Sequence, residues 1–265
     1  MTSSQHSTVG QGMMALLSDP EIVASKALHI HGGKVTLNVE VVDPSDMASI
    51  DRFTRTINER HHRELDFIVN SMGLMLNSFG EQMEKINKVQ RATNTPFLPD
   101  SASVQATIAH DIDGLLAICN SFSPHMRPNT GHIILPGHEA ESFSYFPPTC
   151  ASLFLNSRTL QDIQSIMQTF AYAAMRGVVI DEGWVPSARS MSKAATTTLA
   201  RVLALENEFQ RNKVLFSAAS TRQPIETRIT RFPFEEMAQM AVSLVLSGCG
   251  GQSGGLWDNS VATFR

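Results

Sequence analysis

The sequence has little cysteine, no excess of basic residues and no long hydrophobic run. Its three cysteines, Cys119, Cys150 and Cys249, have spacings that fit neither a disulfide framework nor a zinc site, so we expect buried thiols. The net charge of -4 leaves no basic surplus for phosphate backbones, and nucleic acid is not an expected partner. Neither a membrane-spanning run nor a secretory signal is present. We therefore expect a soluble intracellular protein, in the cytoplasm or an organelle.

What is present is the alternation of an α/β domain. Short apolar runs predict strands at 13–18, 34–42, 65–69, 131–135 and 213–218. Amphipathic stretches predict helices at 20–30, 44–57, 102–122, 160–170, 187–207 and 234–246. This pattern predicts a doubly wound, mostly parallel sheet in one domain over 1–265, with 1–12 as an N-terminal extension. Residues 139–184 break the rhythm and are interpreted as an insertion.

Two motifs and their order are similar to those of a known enzyme family. Residues 65–73, LDFIVNSMG, lie where the family has a strand ending in Asn-Asn-Ala-Gly, which includes Asn70 and Gly73. Residues 183–193, GWVPSARSMSK, match the stretch that carries the family's Tyr-x-x-x-Lys. The chain thus resembles a short-chain dehydrogenase/reductase, and its insertion before the second motif is typical of monomeric carbonyl reductases. This resemblance implies a Rossmann-like fold.

The resemblance also implies a chemistry, hydride transfer from a nicotinamide to a carbonyl, with catalytic Tyr, Lys, Ser and Asn side chains. Lys193 is retained, but the Tyr position is Arg189, whose guanidinium stays protonated and cannot act as the acid. The Ser position falls on His138, or on Gly137 if the register shifts by one. The Asn position is Asp111, or its neighbour His110. We therefore expect no catalytic residue at Asp111, His138, Arg189 or Lys193, and only vestigial cofactor positions at Asn70, Gly73 and Lys193.

The family's Gly-rich phosphate turn has no counterpart after the first predicted strand. By register, residues 13–42 match the family's second βα unit and third strand, so the resemblance implies an N-terminally truncated fold. A parallel sheet cannot keep a gap, so we expect 13–18 to pair with 65–69 and 34–42 to form the edge. The turn at 18–21, Ser-Asp-Pro-Glu, would then oppose a pyrophosphate by shape and charge.

Three functions are compatible with these replacements. The first is a catalytically inactive structural or interaction subunit, with protein partners in a larger assembly and no cofactor. The alternative is an NADP-dependent carbonyl reductase-like enzyme that uses Lys193 with His138 or Asp111. The third is a small-molecule sensor that uses the vacated cleft. In the family the long insertion covers the tetramer-forming face, so we do not expect the family tetramer.

Several residues also have purely structural interpretations. Lys193 on an exposed face of a long helix requires no function. Asn70 is expected to satisfy backbone groups at a strand end. The pairs His29/His31 and His61/His62 lack an accompanying acidic or cysteine cluster, so no metal site is expected.

Overall fold

The computed structural model describes residues 13–16, 40, 42–43, 46–61, 65–70, 99–137, 143, 145–208, 213–220, 253–258 and 261–264. The strands in this part of the chain form one sheet whose spatial order follows the sequence. They are β1 (Met13–Leu16), β2 (Phe67–Asn70), β3 (His132–Pro136), β4 (Leu215–Ser220), β5 (Leu256–Asp258) and β6 (Val261–Phe264). Neighbours from β1 to β5 are parallel, and β6 is antiparallel to β5. The predicted α/β class with a mostly parallel sheet is confirmed.

The pairing of β1 agrees with the expectation for the N-terminal strand. Met13 pairs with Phe67 and Leu16 with Asn70, so the first apolar run lies directly beside β2. Residues 40, 42 and 43 belong to no strand, so the prediction of a strand reaching residue 42 is wrong. The reason is local, because the Asp43 N–H donates to Ser49 Oγ at 2.9 Å and already belongs to the turn that begins the next helix. The predicted helices 20–30 and 234–246 lie outside the described residues, as does most of 34–42.

Six α-helices are described between the strands. They are α1 (Met47–His61), α2 (Ser101–Ile108), α3 (Gly114–Phe122), α4 (Pro148–Asn156), α5 (Leu160–Arg176) and α6 (Ala188–Asn207). A capping box of Thr159 and Asp162 begins α5, and Gly177, at φ 71°, ends it in the left-handed conformation. Ser187 caps α6 by accepting from the Ser190 N–H. The helices predicted at 160–170 and 187–207 are confirmed.

Helix packing places α6 at the centre of the described part of the chain. It contacts β3 and β4 on one side and α2, α4 and α5 on others. The insertion therefore packs on α6 through its two helices, with Phe170 of α5 at 6.0 Å from the ring of Trp184. Phe53 of α1 meets Phe122 of α3 edge to face at 5.7 Å. Among the described helices, none is both long and apolar enough to cross a bilayer.

Candidate functional site

The helix predicted at 102–122 is interrupted where the resemblance places the catalytic Asn. Ala109–Asp113 form a π-helical turn between α2 and α3, so the predicted helical segment is confirmed, but these five residues are not α-helical. A π turn admits one extra residue, and it places both Asp111 and Ile112 in buried positions. Apolar spacing alone could not reveal it, because the apolar residues on both sides still fit a helical period within one residue. The turn packs against α6.

Asp111 is held by two hydrogen bonds at this contact. The Ser192 hydroxyl of α6 donates to Asp111 Oδ2 at 2.6 Å, and His110 Nδ1 lies 2.8 Å from Oδ1. Burial opposes ionisation of Asp111, but the hydrogen bonds from His110 and Ser192 and the charge of Lys193 together hold its pKa below the usual value. The same carboxylate raises the pKa of His110. Asp111 is therefore ionised, and its carboxylate accepts two hydrogen bonds where the π turn meets α6.

Lys193 does not lie on an exposed helix face, and that interpretation is corrected. Lys193 is only 6% exposed, because it lies in the segment 191–200 of α6, in which every residue is buried under neighbouring elements. Among the described residues, no group accepts a hydrogen bond from Lys193 Nζ. Burial lowers the Lys193 pKa to about 8, against the opposing effect of Asp111. Within the described part of the chain, the ammonium is thus enclosed and has no hydrogen-bond acceptor.

Arg189 lies one helical turn before Lys193, near the start of α6, and is exposed. Its guanidinium interacts electrostatically with both Lys193 and Asp111. The described part of the chain offers it no ion pair within 4.0 Å and no hydrogen bond. The structure therefore places Asp111, Arg189 and Lys193 close enough to influence one another electrostatically.

The other positions taken from the resemblance are located differently. Asn70 is fully buried at the carboxyl end of β2, opposite Leu16. Gly73 and His138 lie outside the described residues. The sequence reasoning missed Ser192 as a partner of Asp111. Ser192 is adjacent to Lys193 in the sequence, but no sequence pattern indicates that it contacts Asp111, which lies 81 positions earlier.

A second buried polar cluster crosses three strands. His132 Nε2 of β3 lies 2.9 Å from Ser217 Oγ of β4, which also accepts from Trp257 Nε1 of β5 at 3.1 Å. Burial lowers the pKa of His132 to about 4, so its imidazole is neutral near pH 7. The cluster ties neighbouring strands together within the core.

Cysteines and metal ligands add no further chemistry in the described ranges. Cys119 and Cys150 are buried free thiols, as expected, and burial raises their pKa to about 12 and about 11. The described residues contain no group of three or more His, Cys, Asp or Glu side chains suited to a metal ion. Cys249, His29, His31, His62 and the His61 side chain lie outside the described part.

A polar surface cleft lies apart from Lys193, between α1 and the end of α3. It has a volume of about 710 Å³ and is lined by Asp51, Thr54, Arg55, Asn58, Glu59, Ser121 and His125. Asn58 Nδ2 donates to His125 Nε2 at 2.7 Å across it. The cleft is open, and its charged lining includes both signs.

No protein-family model and no curated protein sequence matches this chain. Its fold is similar to menthone neomenthol reductase from Mentha piperita, with a TM-score of 0.66 and 19% identity over 93% of this chain and 89% of that one. It is similar to salutaridine reductase from Papaver somniferum, with a TM-score of 0.59 and 16% identity over 82% and 80%. It is also similar to a dehydrogenase/reductase from Sinorhizobium meliloti 1021, with a TM-score of 0.54 and 14% identity over 93% of this chain and 82% of that one. At these identities the likeness establishes the fold, which is the Rossmann-like fold of short-chain dehydrogenases/reductases.

Proposed function

We propose that this chain is a catalytically inactive short-chain dehydrogenase/reductase-like protein that acts as a structural or interaction subunit of a larger assembly. The observation that carries the proposal is Arg189, one turn before Lys193, where the family motif has its proton-donating Tyr. A guanidinium stays protonated at physiological pH and cannot donate that proton. The sequence holds two tyrosines, and both are on the surface, with Tyr145 67% exposed and Tyr172 62% exposed.

The bonding of Asp111 supports a structural role for the former site. Its two carboxylate oxygens already accept from Ser192 and His110, and these bonds join the π turn to α6. A carboxylate engaged in this way stabilises the helix contact whether or not a ligand binds.

The residues after β1 do not fit a dinucleotide pyrophosphate. Residues 17–21, Leu-Ser-Asp-Pro-Glu, contain no glycine to permit close backbone approach and include two acids that repel phosphate. We therefore assign no step to a nicotinamide cofactor.

An interaction role is supported by apolar side chains on the insertion. Tyr172 and Met175 lie one turn apart on α5, at 62% and 59% exposed, and Ile180 beyond the helix is 46% exposed. Neighbouring exposed apolar groups favour a protein partner. Because α4 and α5 cover part of α6, this partner is a different protein rather than the family's tetramer mate.

Calorimetric titration with NADPH tests the inactive assignment. We expect no binding at micromolar concentrations, in the parent or in Arg189→Tyr, because restoring the phenol does not restore a phosphate turn. Micromolar affinity in the parent would overturn the assignment.

Affinity purification from the native host tests the subunit role. We expect a stoichiometric partner with the parent chain and its loss when Tyr172→Asp and Met175→Asp are combined. Leu205→Asp, at a 41% exposed position on α6, is the matched control and retains the partner. Isolation of the parent chain without stoichiometric partners would contradict this role.

One observation favours the alternative of an NADP-dependent carbonyl reductase-like enzyme with an altered mechanism. Lys193, with a pKa of about 8 beside ionised Asp111, is a group able to exchange a proton near neutral pH. Under this alternative, carbonyl reduction occurs in the parent and is lost in Lys193→Ala. Absence of turnover across aldehyde and ketone substrates eliminates it.

A further inference from the structure

Lys193 has no hydrogen-bond acceptor among the described residues, and the proposed subunit role does not use its charge. The residue is 6% exposed, and no described residue accepts a hydrogen bond from Nζ. An enclosed ammonium without an acceptor is strongly unfavourable, because it has lost its hydration and gained no bond in return. An anionic acceptor would relieve this deficit.

The nearest carboxylate does not serve as that acceptor. Asp111 influences Lys193 electrostatically, but no ion pair within 4.0 Å joins the two residues, and Asp111 is directed to Ser192 and His110. Those bonds hold the Asp111 carboxylate on the π turn, where it makes no direct contact with the Lys193 ammonium.

Arg189 adds a second cation on the same helix face. Residues four positions apart on a helix are neighbours, and Arg189 and Lys193 interact through their like charges. Within the described ranges neither has an ion-pair partner. The two positive charges of Arg189 and Lys193 exceed the single negative charge of Asp111. His110, which Asp43 also influences, adds positive charge when protonated.

We propose that Arg189 and Lys193 bind a small oxyanion, a carboxylate or phosphate group, on the face of α6 beside Asp111. Arg189 supplies planar donors suited to two oxygens of one group, and Lys193 supplies the desolvated charge. The exposed Arg189 is the outer contact, and the ligand reaches Nζ from that side. This site needs neither a dinucleotide nor a redox reaction, and it goes beyond the subunit role.

Thermal unfolding at constant ionic strength tests the proposal with two probes, inorganic phosphate and acetate, against potassium chloride. A bound probe at about tenfold its Kd raises Tm by about 3 °C. We expect at least one probe to do so in the parent, and which probe succeeds distinguishes a phosphate from a carboxylate ligand. Calorimetry then gives the stoichiometry, expected to be one anion per chain.

Variants decide whether the effect belongs to this site. Arg189→Gln and Lys193→Met should each abolish the rise in Tm, whereas Arg176→Gln, an exposed control on α5, keeps it. Arg189 is exposed, so its variant tests the site independently of the change in stability caused by Lys193→Met. No response to either probe, or an equal response in parent and variants, overturns the proposal. NADPH is absent throughout, so the result is independent of the titration that tests catalytic inactivity.

Discussion

The Ser192 hydroxyl donates a 2.6 Å hydrogen bond to Asp111 Oδ2 across 81 residues of sequence. This bond joins the second turn of α6 to the π turn between α2 and α3, and both residues are buried. It makes the Asp111 carboxylate part of the contact between the π turn and α6.

Replacing Ser192 by alanine should destabilise the fold. The substitution leaves a buried carboxylate with one fewer donor, and a hydrogen bond to a charged group contributes about 2 kcal/mol. Urea denaturation at pH 7 measures the change in the free energy of unfolding. Ser152→Ala, on an exposed turn of α4, is the control and should change it by less than about 0.5 kcal/mol. Equal stability of Ser192→Ala and the parent would refute a structural role for the bond.

Lys193→Met should stabilise the protein in the absence of a bound anion. The folded-state pKa of Lys193 is about 8, below its ordinary value of 10.5, so at neutral pH the buried ammonium opposes folding by about 3 kcal/mol. Between pH 8 and 10.5 the unfolded chain binds more protons, and this group's contribution to stability therefore rises with pH. The advantage of the variant should shrink over that interval.

The measurement is the difference in unfolding free energy between Lys193→Met and the parent from pH 7 to 10.5. Taking a difference cancels the titration of Cys119 and the other thiols. Lys213→Met, at a half-buried position before β4, is the control for removing one lysine side chain. A variant less stable than the parent at pH 7 would mean that the ammonium is satisfied in solution.

His132 should make the protein sensitive to mild acid. Its folded-state pKa of about 4 lies below the ordinary 6.5, so between these values the unfolded state binds more protons. Stability is then lost as pH falls from about 6.5 to about 4, by up to about 3 kcal/mol. His132→Leu should remove this slope while leaving the rest of the acid profile. Denaturation curves at half-unit pH steps compare the two proteins, and parallel profiles would contradict the prediction.

Arg201 should be required for the end of α4. Its guanidinium donates to the carbonyl oxygens of Phe154, Leu155 and Ser157 at 2.9–3.0 Å, at the helix end where carbonyl oxygens lack the regular intrahelical partner. Arg201→Ala should cost about 2 kcal/mol in unfolding free energy. Arg158 bonds two of the same carbonyls from an exposed position at 3.2–3.3 Å, and Arg158→Ala should cost less than about 0.5 kcal/mol. Similar losses of unfolding free energy for the two variants would contradict the prediction, because they would show that the burial of Arg201 does not strengthen its hydrogen bonds.

Much of the described architecture follows from local sequence patterns. The apolar runs before residues 70 and 136 become β2 and β3, because a parallel sheet is covered on both faces and its strands are apolar on both sides. Ile68 and Ile133 are fully buried in these strands. The helix at 188–207 follows from Ser187 as its cap and a long stretch without proline or glycine. The π turn at Ala109–Asp113 could not be predicted, since its one extra residue leaves the apolar pattern nearly unchanged.

The sequence by itself determined the α/β class and the order of its strands and helices, because these depend on apolar periodicity, which is a local property. The expected pairing of β1 with β2 and the alignment of Arg189 with a family tyrosine depended on the resemblance instead. Only the tertiary structure decided that Lys193 is buried and that Asp111 bonds Ser192. The physical reason is that burial and hydrogen bonding depend on which elements pack around α6, and those elements are distant in sequence.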